Sequence, residues 1–243
     1  MSRPNGTALD RLGERITACR RCPRLVEWRE RVAREKRAAY RHEAYWGKPV
    51  PAFGDPAASI LVVGLAPAAH GANRTGRMFT GDRSGDWLYG ALHRAGFATQ
   101  PDSMHRGDGL RLKGVLVSAA VRCAPPANKP TPTERDACRD WLEAELDALD
   151  DVRVLVALGS LAFNQVLRIV ADRGASVPVP RPRFGHLAEV GLGDGRAVLA
   201  SYHPSQQNTF TGKLTEPMFD RVWARARTLA YARAGQTGPR ASP

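Results

Sequence analysis

The residues best equipped for chemistry fall into two constellations. The first is four cysteines: Cys19 and Cys22 form a C-x2-C pair, Cys123 and Cys138 have fourteen residues between them, and about a hundred residues separate the two pairs. Four thiolates are the ligand set of a [4Fe-4S] cluster or of tetrahedral zinc. A zinc ribbon more often carries two C-x2-C knuckles, and Cys123 and Cys138 do not form the second one. The other constellation is split between two loops. Residues 64–82 read GLAPAAHGANRTGRMFTGD and end on a carboxylate, Asp82; residues 202–212 read YHPSQQNTFTG and hold His203 ahead of Pro204.

For those loops to meet, the elements carrying them must end at one place. A short apolar run at 59–63, stopping at Gly64, reads as a strand buried on both faces. Further strands are expected at 114–121, 153–158 and 197–201. Helices are expected at 82–96, 133–149, from Ser160 onward and at 215–234, with a charged helical stretch over 7–41 that Pro23 interrupts. Thr133 and Asp136 have capping-box spacing, with Asp in place of Glu. Strands alternating with helices predict an α/β fold: a three-layer α/β/α sandwich around a central four-stranded, mainly parallel sheet. One domain is expected over residues 1–234, followed by a Gly, Pro, Ser and Arg tail at 235–243 expected to be disordered. In such sheets ligands bind beyond the carboxyl ends of the strands, so the loops after strands one, two and four are expected to converge.

Composition narrows the partners. The 36 Lys and Arg against 24 Asp and Glu give a formal charge of +12 over 243 residues, which favours an anionic partner such as nucleic acid. Arg-rich composition has other sources, so charge carries little weight alone. No stretch approaches the roughly 18 to 20 apolar residues that cross a bilayer, and residues 1–12 lack a signal-peptide core. A cytoplasmic location without membrane contact is therefore expected. In that reducing compartment four cysteines favour metal binding or catalysis over structural disulfides.

Residues 64–82 and 202–212 resemble the two active-site motifs of the uracil-DNA glycosylase superfamily. Together with Tyr45-Trp46-Gly47-Lys48-Pro49-Val50-Pro51 and Val121-Arg122-Cys123-Ala124-Pro125-Pro126, they are similar to its family 5, the B type, over a span from about Cys19 to Thr215. The resemblance implies a monofunctional DNA glycosylase of base-excision repair. Such an enzyme flips uracil out of DNA and hydrolyses its N-glycosidic bond, leaving an abasic site. It also implies a [4Fe-4S] cluster on Cys19, Cys22, Cys123 and Cys138, a damaged-DNA partner met by a monomer, and association with the nucleoid through that DNA.

Breaking a deoxyribose N-glycosidic bond builds positive charge on the sugar and negative charge on the departing pyrimidine. The resemblance gives His203 the task of donating a hydrogen bond to that anion. Where the best-known relatives have GQDPYH, with an Asp for the water and a Tyr closing the pocket, this chain has Ala66 and Ala68. Asp82 is the first choice to replace the carboxylate and Asn128 the second. Asp82 also reads as an ordinary helix N-cap, and Asn128 as ordinary turn chemistry. Ala68 in place of a bulky gatekeeper predicts tolerance of hypoxanthine, ethenocytosine and 5-substituted uracil.

Gly64, Ala66, Ala68 and His70 are expected to line the base site, and Phe79 to stack on the extruded base, against the plainer reading of a core Phe. Gln206, Gln207 and Asn208 resemble the loop that enters the helix, and Arg77 is assigned to DNA. Arg20, Arg21 and Arg122 either face phosphates or are solvated surface charge. Two rival classes remain. A Rossmann-like cofactor enzyme would need a glycine fingerprint after Gly64 or Gly159, which is absent; a non-catalytic Fe–S DNA-binding module would bind duplex without forming abasic product.

Overall fold

The computed structural model describes residues 7–231. The expected tail at 235–243, and the end of the last predicted helix, lie outside the described residues. Elements follow in the order α1 (Ala8–Thr17), α2 (Pro23–Glu35), β1 (Phe53–Gly54), β2 (Ile60–Gly64), α3 (Ala72–Thr75), α4 (Arg83–Arg94), β3 (Val115–Ala119), α5 (Pro132–Asp147), β4 (Val154–Leu158), α6 (Ser160–Asp172), β5 (Glu189–Gly191), β6 (Ala197–Ser201), α7 (Gln206–Phe210) and α8 (Glu216–Tyr231).

The four strands expected from the apolar runs, β2, β3, β4 and β6, form the parallel centre of the sheet, and each is buried along its whole length. Two short strands that the sequence reading did not include, β1 and β5, add antiparallel edges and bring the order to β1-β3-β2-β4-β6-β5. Successive residues of β2 face opposite ways, so Ile60 and Val62 enter one core with α4 and α8 while Leu61 and Val63 enter another with α5 and α6. Trp223 of α8 and Tyr89 of α4 are the largest buried hydrophobic side chains in the first core, and Phe163 of α6 in the second. That gives three layers. No helix among the described residues is long and apolar enough to cross a membrane.

Register decides where the loops emerge. Gly64 pairs with Ala119, and Leu158 with Ser201, so the loops after β2, β3, β4 and β6 leave one edge of the sheet. The start of α5 differs from the predicted one. Thr131 is the N-cap and Glu134 completes the capping box, one turn fragment before Thr133 and Asp136, because Pro132 supplies the fixed φ that suits the first helical position. Glu134 is also held by Arg24 of α2 at 2.7 and 2.8 Å, which ties the segment after Cys22 to the helix carrying Cys138.

Candidate active site

The β2 loop is built around glycines that let other groups in. A Cβ on Gly64 would lie 2.7 Å from the Phe79 ring, and one on Gly71 would lie 2.0 Å from Oδ2 of Asp82. The aromatic ring and the carboxylate therefore rest on bare backbone. Phe79 is buried and adopts φ +52°, a left-handed conformation that a bulky side chain rarely takes. Gly85 makes this possible, since a Cβ there would meet the Phe79 carbonyl at 2.0 Å. Arg74 staples both ends of the loop: its guanidinium donates to the carbonyls of His70 and Gly81, each at 2.8 Å, and it pairs with Glu43.

The β6 loop brings His203 to the same place. Its ring lies 5.8 Å from that of Phe79, tilted by 31°. Neither imidazole nitrogen has a hydrogen bond within the described residues, and burial pushes the ring's pKa down to about 4. The imidazole is consequently neutral at physiological pH. Gly159, at φ +92°, takes the β4 chain past His203 at a distance where a Cβ would be in contact at 3.4 Å. Asn208 was assigned to DNA by resemblance, but its side-chain amide turns back and donates to the His203 carbonyl at 2.9 Å. It orders the histidine loop. Gln206 and Gln207 are exposed on α7, as is Phe210 at 70 %.

Asp82 is the N-cap of α4, accepting the Gly85 N–H through Oδ1 at 3.1 Å, so the plain capping reading is true of one oxygen. Burial raises the carboxyl pKa, and the N–H groups of Gly85 and Ser84 only partly offset it. A carboxylate that caps a helix through one oxygen, with the other against Gly71, is held rigidly and is more basic than a solvated one. Asn128 is exposed in the Pro126–Asn128 turn at φ +56°, next to Ala127 at +52°, and its side chain makes no hydrogen bond within the described residues. Among the described residues no hydrogen bond joins it to Asp82, Phe79 or His203.

His70 is half-buried and bonded to the Tyr45 hydroxyl at 3.0 Å, a pairing that joins two segments singled out by resemblance but that spacing could not foretell. Ala66 packs against the cysteines, and the Ala68 carbonyl accepts the N–H groups of Gly71 and Asn73. One assignment is corrected: Arg77 does not face DNA. It is 3 % exposed and forms a bidentate pair with Asp108 at 2.6 and 2.8 Å. Arg122 is likewise withdrawn from any phosphate, being buried against Glu145 at 2.6 Å. Arg20 and Arg21 lie at the surface, paired with Glu30 and Asp140.

The four cysteines, all free thiols, line one cavity together with Leu25, Val121 and Trp141. Among the described residues no three His, Cys, Asp or Glu donors are grouped so as to hold a metal ion. Burial pushes the Cys123 thiol up to about 11 and Cys138 to about 12. Two buried arginines attend them. Arg29 donates to Sγ of Cys123 at 2.8 Å, and its Nε, like Nε and Nη1 of Arg122, has no hydrogen-bond partner among the described residues.

Comparison with known proteins gives the family. The family model of the uracil DNA glycosylase superfamily matches residues 51–227. A type-5 uracil-DNA glycosylase of Thermus thermophilus is 56 % identical over 215 residues, covering 88 % of this chain and 95 % of its own. One from Mycobacterium tuberculosis is 54 % identical over 88 % of this chain and 79 % of its own, and one from Pyrobaculum aerophilum 47 % identical over 87 % and 89 %. The chain belongs to the uracil-DNA glycosylase superfamily, in its type-5 branch.

Proposed function

We infer that this protein excises uracil from DNA by hydrolysing the bond between C1′ of deoxyribose and N1 of the base. The observation that carries the reading is His203: a neutral imidazole without a hydrogen bond among the described residues, beside an aromatic ring, on the loop side of the sheet where Asp82 is fixed. As the C1′–N1 bond breaks, its electron pair goes to the base and spreads onto O2. A neutral N–H of His203 donates to that oxygen and stabilises the anion without giving up its proton. Phe79 stacks on the base, and water attacks C1′ while Asp82 accepts its proton. The amide of Asn128, without a hydrogen bond among the described residues, is the second choice for the water. Ala68, in place of a bulky gatekeeper, leaves room beside the base, which supports activity on hypoxanthine, ethenocytosine and 5-substituted uracil. Incubating the protein with a uracil-containing duplex and then with alkali tests the reading: strand cleavage at the uracil is expected, whereas tight binding without an abasic product would instead make it a non-catalytic DNA-binding module.

DNA is met by the face bearing α7. Gln206 and Gln207 project there, and the Phe210 ring lies under Arg83 at 5.9 Å. Phe210→Ala is expected to weaken duplex binding by about tenfold, at the lower end of what an aromatic group gives by stacking on a base. Fluorescence anisotropy checks this, and unchanged affinity would remove Phe210 from the interface.

The cysteine cavity fits a [4Fe-4S] cluster held by Cys19, Cys22, Cys123 and Cys138. Four thiols lining one cavity offer a sulfur for each iron of such a cluster. A bound cationic centre would keep Cys123 and Cys138 as thiolates despite their burial, and the orphaned guanidinium nitrogens of Arg29 and Arg122 would balance the cluster's negative charge. Its contribution is to staple the α1–α2 segment against β3 and α5. Purified protein is expected to be brown, with broad absorbance at about 400 nm. Cys138→Ser is expected to lose that colour and most of its iron; a colourless, zinc-loaded wild type would overturn the assignment.

A further inference from the structure

We propose that Arg77 and Asp108 act as a brace that holds Phe79 in its stacking pose, which makes them positioning residues for base excision. This rests on the reading of Phe79 as the ring that stacks on the flipped base. Phe79 is held in a left-handed conformation, its ring filling the space that Gly64 leaves open. A bulky residue relaxes out of that region unless its neighbours over-determine it.

Bonds on both sides of Phe79 supply that constraint. Arg77 donates to Thr80 Oγ1 at 2.9 Å, to Ser103 Oγ at 2.8 Å and to both oxygens of Asp108. Thr80 and Ser103 share a hydroxyl bond at 2.6 Å, Gly81 donates to the Ser103 carbonyl at 2.9 Å, and the Tyr89 hydroxyl donates to the Met78 carbonyl at 2.7 Å. Residues 77, 78, 80 and 81 are each fixed, and the conformation of residue 79 follows. Asp108 is the hub on the far side, accepting the N–H groups of Met104, His105 and Leu110 as well as Arg77. The segment 103–110, remote in sequence from both active-site motifs, thereby sets the geometry of one of them. Because the Arg77 guanidinium also lies 4.8 Å above the Phe53 ring, the brace is seated on the β1 edge of the sheet.

A double-mutant cycle tests this with the holoprotein. Asp108→Asn is expected to lower the single-turnover rate on a uracil duplex by about tenfold, but by less than about twofold when Phe79 is already alanine, since no ring is left to position. Duplex affinity is expected to stay within about twofold of wild type. Equal losses in both backgrounds would mean that Asp108 only supports the fold, and the proposal would fall. Should Asp108→Asn unfold, Ser103→Ala is the milder arm, deleting one bond to Arg77, with the same collapse of its effect in the Phe79→Ala background. If Phe79→Ala alone leaves the rate unchanged, the stacking reading fails instead, and that result is read before the cycle is closed.

Discussion

His203→Ala is expected to slow uracil release by about 10²-fold or more in single-turnover assays, the loss typical of removing one donor aimed at a developing oxyanion. Duplex affinity is expected to change little, because the imidazole meets its partner charge only as the bond breaks. The pH dependence is equally specific. Burial holds the ring pKa at about 4, so the donor is already neutral through the range where a solvated histidine titrates, near pH 6.5. His203 therefore contributes no inflection between about pH 5.5 and 7.5 in kcat/KM. A rate within twofold of wild type for the alanine variant, or an inflection near pH 6.5 that the variant abolishes, would remove this role.

Asp82→Asn is expected to lower the same rate by about 10²- to 10³-fold, within the range for a lost general base. Its effect on stability goes the other way. Asparagine caps a helix about as well as aspartate, so the bond to Gly85 survives while a charge that burial penalises is gone. The variant is expected to melt no lower than wild type at neutral pH. A carboxyl whose folded pKa is raised opposes folding as pH rises through that pKa, and removing it relieves the opposition. The same shift sets the acid limb of activity. The base must be ionised, so the rate falls as pH drops through the raised pKa, above the ordinary aspartate value of about 3.9. The asparagine variant lacks that limb. A rate close to wild type would pass the water to Asn128, in the turn after β3.

The fold was legible because its centre is made of short, uninterrupted apolar runs. A strand such as Ile60–Gly64, buried on both faces, has no polar position to confuse its boundaries, and Gly64 marks its end. The edge strands β1 and β5 were not legible. Two or three residues long and half-buried or exposed in part, they depend on the partner strand for their conformation. The start of α5 lies a fragment of a turn before the expected one because two Thr-x-x-acid patterns overlap, and Pro132 decides between them.

In the candidate site, the sequence by itself determined which groups exist and on which loops they hang: His203 just past a strand, Asp82 just ahead of a helix, four cysteines, small residues at Ala66 and Ala68. Those are matters of residue type and local spacing, which a linear pattern records. Tertiary structure alone decided what each group faces. Arg77 and Arg122 look like surface cations in the chain and are buried partners of Asp108 and Glu145, and Asn208 turns inward to His203. An arginine's environment is fixed by acids tens of residues away, brought close only when β3, α5 and the 103–110 segment have packed. Charge and polarity are properties of the side chain; whether they meet solvent, DNA or a carboxylate is a property of the fold.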